Sequence, residues 1–160
     1  MTRTASTPSN VEYITGSIFD SKQPALGHGV NVEGVMGSGI AVLVRRQYPS
    51  IFLPYEDACK RGLLVPGSML PIQVEENKWV FNIASQAKRG RDARVEWLED
   101  SIYASFHYAS VEGITGIALP RIASDIGGLD WRTDTIPVLE KVASSYPQIQ
   151  LELWSLPNAK

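Results

Sequence analysis

Cysteine is all but missing from this chain of 160 residues, with Cys59 its only representative. A lone thiol closes no internal disulfide, so the fold must rest on a buried core, and the usage suits a reducing cytoplasm. Histidine is almost as scarce. His28 and His107 have no second His or Cys at metal-site spacing, so no metal and no cofactor are expected. Neither sign of charge dominates: 15 basic residues stand against 17 acidic ones, for a net charge of −2. The chain as a whole therefore creates no field that draws it to nucleic acid or to a membrane surface. No apolar run approaches the ~20 residues of a membrane span, and the opening "MTRTASTPSN" lacks the apolar stretch of a secretory signal. Residues 1–10 are expected to be a disordered lead-in. Repeats and interior linkers are also missing, so residues 11–157 are expected to form a single domain, cytoplasmic and monomeric. A chain of this length can bury a substantial core.

What is present alternates. "VEYITGSIF" reads as a strand ending near Gly16. "PALGHGVNVEGVMGSGIAVLVRRQYP" starts as a glycine-broken strand, crosses a loop and becomes a helix from about Ser38 that Pro49 stops. "LPYEDACKRG" suits a short helix with Pro54 in its first turn and Gly62 past its end. "SMLPIQVE" and "KWVFNIAS" read as strands joined by a turn at Glu76–Asn77. "RDARVEWLEDSIYASFHYASVEG" is the clearest helix, with Val95, Leu98, Ile102 and Phe106 on one face and Asp92 expected as N-cap. "GITGIALPRI" is a strand. Asp134 is expected to cap a following helix with Pro137 in its first turn, and "IQLELWSL" closes the chain as a strand. The order β–β–α–α–β–β–α–β–α–β predicts an α/β fold, a mixed sheet with helices on both faces.

Two strand-to-loop junctions stand out: "GVNVEGVMGSGIA" (29–41) and "PRIASDIGGLDW" (120–131). Glycines there would let backbone N–H groups turn toward an anion, and a helix N-terminus adds positive potential. Two such loops at one end of a sheet could hold two linked phosphates, or the glycines could serve only as turns. Spacing alone leaves both readings open. No G-x-x-x-x-G-K-[ST] exists, and "GSGIAV" has Val42 where a dinucleotide fingerprint needs its third glycine.

The pair "GVNVEGVMGSGIA" and "ALPRIASDIGGLDW" resembles the two ligand loops of a macro domain, an ADP-ribose-binding module with a three-layer α/β/α sandwich around a central mixed sheet. "YITGSIF" is similar to the family's opening strand, and the likeness covers roughly residues 11–155. "VMGSGIA" points to the branch of terminal ADP-ribose protein glycohydrolases and DNA-ADP-ribose glycohydrolases. The resemblance implies hydrolysis of ADP-ribosyl esters on acidic side chains of modified proteins, releasing ADP-ribose. Alternatives are a non-catalytic ADP-ribose reader, or a hydrolase of ADP-ribosylated DNA or of ADP-ribose 1″-phosphate. Nucleic acid is a partner only if ADP-ribosylated DNA is the substrate.

Family roles can be laid on matching positions. Asn31 with Gly34, Val35, Met36, Gly37, Ser38, Gly39 and Ile40 would line the distal ribose and phosphates. Ile122, Ala123, Ser124, Asp125, Ile126, Gly127 and Gly128 would form the second clamp, and Ala84, Ser85 and Gln86 would sit beside the adenosine or the distal ribose. Three departures follow. Ser17 stands where the family often has an adenine-reading acid, with Asp20 as a nearby substitute. Gln86 stands where the glycohydrolase branch often carries a lysine that attacks the anomeric carbon, and glutamine forms no Schiff base. Gly127 stands where the branch can place a catalytic acid, with Asp125 two residues earlier. The catalytic set is therefore Asp125, Asn31 and Gln86. Asp125 could handle water or brace its own loop; Asn31 could bind ribose hydroxyls or tolerate a left-handed turn. Glu33 is expected as a solvated charge. Lys88, Arg89, Arg91 and Arg94 form a local basic cluster, either a solvated surface or a phosphate-binding one. Asp130 is expected to fix the loop exit, and Trp131 has a better claim than Trp97 to be an adenine platform.

Overall fold

The computed structural model describes residues 3–159. Apolar residues alternate along the strands and divide the core into two clusters, one on each face of a six-stranded sheet. Strand β1 (Val11–Thr15), β2 (Ala25–Gly29), β3 (Met69–Glu75), β4 (Lys78–Ile83), β5 (Gly116–Leu119) and β6 (Gln150–Ser155) stand in the order β1-β6-β5-β2-β4-β3. All neighbours are parallel except the β3–β4 hairpin, whose two-residue turn at Glu76–Asn77 joins the Glu75↔Lys78 pair. On β2, β4 and β5 the residues Ala25, Phe81, Ile83, Ile117 and Leu119 face one cluster with α3 (Val95–Glu112) and α4 (Ile136–Ser144). Their neighbours Leu26, Val80 and Ala118 face the other, with α1 (Gly39–Gln47) and α2 (Phe52–Lys60). The result is the expected three-layer α/β/α sandwich. Gly27 shows how tightly the centre closes: a Cβ there would lie 2.5 Å from the Leu119 side chain and 2.8 Å from Ile83. Burying strands on both faces is what a parallel sheet requires.

Several local expectations change. Asp92 does not cap α3. Its Oδ2 accepts the backbone N–H groups of Ala87 and Lys88 at 2.9 and 2.8 Å, bracing the loop before the helix, and Arg94 holds the N-cap position without a side-chain cap. Asp134 does not cap α4 either. A wide turn over Trp131–Thr135 precedes that helix, Asp130 accepts the N–H groups of Arg132 and Thr133, and Asp134 Oδ2 accepts the Asp130 N–H at 2.8 Å. Asp130 thus fixes the loop exit. Ahead of β1, the stretch expected to be disordered is tied down over its described part: buried Asn10 donates to the carbonyls of Ala143, Tyr146 and Ile149. Residues 1 and 2 lie outside the described residues. Among the described residues, no helix is long and apolar enough to cross a membrane.

Candidate functional site

Strands β5 and β2 are neighbours, yet the chain leaves them in opposite directions, toward β6 on one side and β4 on the other. Loops diverge at such a switch point and leave a crevice beyond the carboxyl ends of the strands. A cleft of about 1050 Å³ lies there, lined from all five parallel strands' C-terminal loops. Its floor is Gly29, Val30, Pro120 and Ile122; its walls are the two glycine loops.

The first loop supplies Asn31 and an unbroken run from Val35 to Leu43. Ser38 is the N-cap of α1 with no side-chain cap bond, so the first-turn N–H groups are left to whatever enters the cleft. A Cβ at Gly37 would meet nothing within 4 Å, because it would point into open space. Gly34 turns away instead, at φ +86 over the side chains of Cys59 and Glu56, and does not line the cleft. Asn31 is held from beneath: Nδ2 donates to the Val35 carbonyl at 3.1 Å, and Oδ1 accepts from Glu33 N–H and the Tyr55 hydroxyl. Its φ is not positive, so the left-handed-turn reading fails. Buried Tyr55, to which sequence reasoning gave no role, is therefore the post on which this loop stands.

The second loop supplies Ile122, Ala123, Asp125, Ile126 and Gly127. Ala123 has φ 64, the only non-glycine at positive φ among the described residues, a conformation that costs of order 1–3 kcal/mol and collects at functional sites. The loop is drawn closed behind it, since Leu129 N–H donates to the Ala123 carbonyl at 3.0 Å. Gly127 packs against the same carbonyl so closely that a Cβ would sit 2.6 Å from its oxygen. An acidic side chain at 127 has no room. Asp125, exposed and in the cleft, has no hydrogen bond or ion pair to any described residue, so the loop-brace reading finds no support. Ser124 is the brace: its hydroxyl bonds the Ile122 carbonyl and Thr135, and it faces away from the cleft, as does Gly128. The loops touch where Ile126 rests on Gly39, 2.7 Å from a would-be Cβ.

Residues 84–94, following β4, close one end. Val32 N–H donates to Ala87 O, and Ala93 N–H donates to Gly127 O, so this segment is sewn to both glycine loops. Buried Gln86 sends its Nε2 to the carbonyls of Lys88 and Gly90. Ser85 Oγ is fully buried, lines the cleft and has no hydrogen-bond partner among the described residues. Arg89 borders the mouth, held by Glu33, whose Oε1 accepts both its backbone N–H at 2.7 Å and its Nε at 3.1 Å. Those bonds hold the Glu33 carboxyl below its usual range, so Glu33 is a clasp rather than a free solvated charge.

The opposite end is aromatic. Phe19 and Trp154 line it with Ser17, whose Oγ accepts the Phe19 N–H; Asp20 lies outside. Trp131 is buried beneath Arg121 and does not border the cleft, which removes it as an adenine platform. Sequence reasoning missed Phe19, Trp154 and Arg121; the only signal was their place at or just beyond the carboxyl ends of strands. Arg89, Arg121 and Asp125 are the charged residues of the lining among the described residues. The cleft therefore has a slight positive excess, uncapped N–H groups at its centre, rings at one end and amides with a carboxylate at the other. His28 does not line the cleft: burial pushes its pKa down to about 4, and it bonds Asn82 at 2.8 Å. No grouping of three or more metal-ligating side chains occurs among the described residues.

Comparison with known proteins agrees with this geometry. The DNA ADP-ribosyl glycohydrolase of Mycobacterium tuberculosis is 28% identical over 142 residues, 87% of this chain but 39% of that protein. The chain thus spans well under half the length of that curated relative. The human ADP-ribose glycohydrolase OARD1 is 22% identical over 124 residues, 77% of this chain and 78% of its own. Among solved structures, the macrodomain of Mycobacterium tuberculosis DarG superposes with a TM-score of 0.83 at 26% identity, covering 90% of this chain and 96% of that one. Thermosipho africanus DarTG in complex with ADP-ribose gives 0.82 at 24% identity, over 95% of this chain and 43% of that one, and speaks to the fold alone. A model of the macro domain family matches residues 28–136, more than half of the chain, and with the sandwich, the switch-point cleft and the two glycine loops in place, the chain belongs to the macro domain family.

Proposed function

We propose that the cleft binds ADP-ribose and that the chain hydrolyses the bond joining its distal ribose to a modified macromolecule. The observation that carries this reading is the convergence of two glycine loops and an uncapped helix N-terminus on one cleft at the switch point. The diphosphate lies against residues 35–40 and 122–127, where backbone N–H groups and helix potential favour an anion. The adenosine lies toward Phe19 and Trp154, and the distal ribose toward Asn31, Gln86 and Asp125.

Hydrolysis in this frame needs a water at C1″. Asp125 accepts its proton, the water oxygen forms a bond to C1″, and the bond from C1″ to the acceptor oxygen breaks with its electron pair leaving on the acceptor. A carboxylate acceptor, as in an ester of Asp or Glu, leaves as a stable anion and asks least of the enzyme. Gln86 offers no nucleophile, so no sugar–enzyme bond forms. The partnerless state of Asp125 supports its role; its neighbour Gly127 leaves no space for a second acid.

The commitment of Gln86 Nε2 to loop carbonyls favours one further reading, a module that binds ADP-ribose without turnover. Calorimetry with ADP-ribose beside incubation with glutamate-linked ADP-ribosylated protein and with ADP-ribosylated DNA separates these. Release of free ADP-ribose from either substrate is the expected result; tight binding with no release from both establishes the reader.

A further inference from the structure

We propose that Glu152 is a positioning residue for the nucleobase: from outside the cleft, it fixes the Trp154 ring on which the base stacks. The inference rests on the reading above that places the adenosine toward Phe19 and Trp154. Three donors from two parts of the chain converge on this one carboxylate. Oε1 accepts the Trp154 indole N–H at 2.9 Å and the Ser21 hydroxyl at 2.6 Å, and Oε2 accepts Gln23 Nε2 at 3.0 Å. Ser21 and Gln23 belong to the segment between β1 and β2 that also carries Phe19. Lys78 fastens the same segment, its Nζ donating to the Gln23 carbonyl at 2.9 Å. A single acid thus ties together both aromatic walls of the adenosine end.

The half-buried indole is gripped at two edges. Glu152 and Trp154 stand two apart on β6, so their side chains share one face of the sheet and the N–H reaches the carboxylate. At the other edge, Cζ3 of the six-membered ring lies 3.3 Å from where a Cβ of Gly16 would be. A tryptophan free to turn spreads over three χ1 wells and broad χ2 ones; a pinned one is already set when the ligand arrives, which removes an ordering cost from binding. The same bonds decide what Glu152 does not do. Trp154 lines the cleft and Glu152 does not, and both carboxylate oxygens are taken, so this acid reads no amino group on the base. Asp125, on the second glycine loop, is the only carboxylate of the lining among the described residues. Recognition of the base at this end therefore rests on ring faces and uncharged groups.

The test is calorimetry on the full chain with two ligands: ADP-ribose, and diribosyl diphosphate, which is ADP-ribose without its adenine. Stacking of a base on an aromatic ring is worth about 5- to 150-fold in affinity, and Trp154→Ala should remove most of that preference for ADP-ribose. An unpinned indole spread over several rotamers leaves about one-third to one-sixth of the chains ready to stack. Glu152→Ala should therefore weaken ADP-ribose about 3- to 6-fold and leave diribosyl diphosphate unchanged. Glu152→Gln should rescue, because its Oε1 still accepts from Trp154 and Ser21 while the Gln23 amide turns over. A thermal melt checks that each variant is folded. Should Glu152→Ala melt below the assay temperature, Trp154→Phe, which keeps a ring but has no N–H to pin, should show the same selective loss. Equal losses for the two ligands in Glu152→Ala, an unchanged ADP-ribose Kd, or a loss in Glu152→Gln as large as in alanine each overturn the positioning role. A wild-type chain that binds both ligands equally overturns the adenosine placement on which the proposal rests.

Discussion

Gly37 gives the cleanest perturbation of the proposed ligand site. It is exposed on the cleft wall, its φ lies outside the left-handed region, and a Cβ would meet nothing within 4 Å. Gly37→Leu therefore strains nothing in the free protein. Exposed substitutions of this kind usually fall within about 0.5 kcal/mol, which for a chain of this size is a Tm change of about 2 °C or less. The bound state is different, because the new side chain occupies space that the diphosphate needs. A hydrogen bond to a charged group is worth about 1.5–3 kcal/mol, so losing one such contact weakens binding about 10- to 150-fold. Calorimetry with ADP-ribose and a thermal melt on the same sample read both quantities. A Kd equal to wild type with an unchanged Tm refutes the placement of the diphosphate beside residues 35–40.

Other outcomes test the remaining parts. Asp125→Ala should cut kcat by about 10²–10⁴ with little change in ADP-ribose affinity; near-normal turnover removes Asp125 from the chemistry. Gly127→Asp should gain no activity and should destabilise by about 1–3 kcal/mol, or about 2–12 °C in Tm, because its Cβ meets the Ala123 carbonyl; a thermal melt and a turnover assay on the same preparation decide. Borohydride added during turnover should trap no adduct by mass spectrometry, and a lysine–ADP-ribose adduct would implicate Lys88 instead. His28 is buried and its pKa lies near 4 against an ordinary 6.5, so the unfolded chain binds the extra proton between those values. Stability is complete above pH 6.5 and drains as pH falls toward 4, by about 3 kcal/mol in all; His28→Gln should flatten that part of the Tm–pH curve, and equal slopes in both proteins contradict the assignment.

Much of this architecture was legible because it depends on short-range pattern. Strand alternation in "KWVFNIAS" and the 3.6-residue rhythm of α3 follow from which faces are buried, and two glycine-rich junctions after strands mark a loop pair. The capping of α3 and α4 was not legible. Asp92 and Asp134 both precede helices, but each carboxylate finds backbone N–H groups in a neighbouring turn first, a choice made by tertiary folding. Phe19 and Trp154 were invisible for a related reason. Nothing in their local sequence separates them from packing or surface residues; only the sheet order gathers their loops at one edge. Trp131 erred in the opposite direction, since its place beside the second loop suggested a platform while the wide turn after Asp130 drives its indole into the core.

Each of the two chemical departures from the branch pattern has its own structural setting. At 86, the Nε2 amide donates to the carbonyls of Lys88 and Gly90, so that nitrogen is spent in shaping the loop that closes the cleft. A lysine ammonium there would meet the same two acceptors and would have to abandon them to reach a sugar. At 127, the approach of the backbone to the Ala123 carbonyl leaves no room for a side chain, and Ala123 itself stands at φ 64. Beyond the strained alanine, Asp125, Ile126 and Gly127 line the cleft, and Asp125 carries a carboxylate with no partner among the described residues. A loop that excludes an acid at one position thereby presents one two residues earlier. On the proposed reading, the water-handling group comes from that loop, while Gln86 Nε2 shapes the wall beside it.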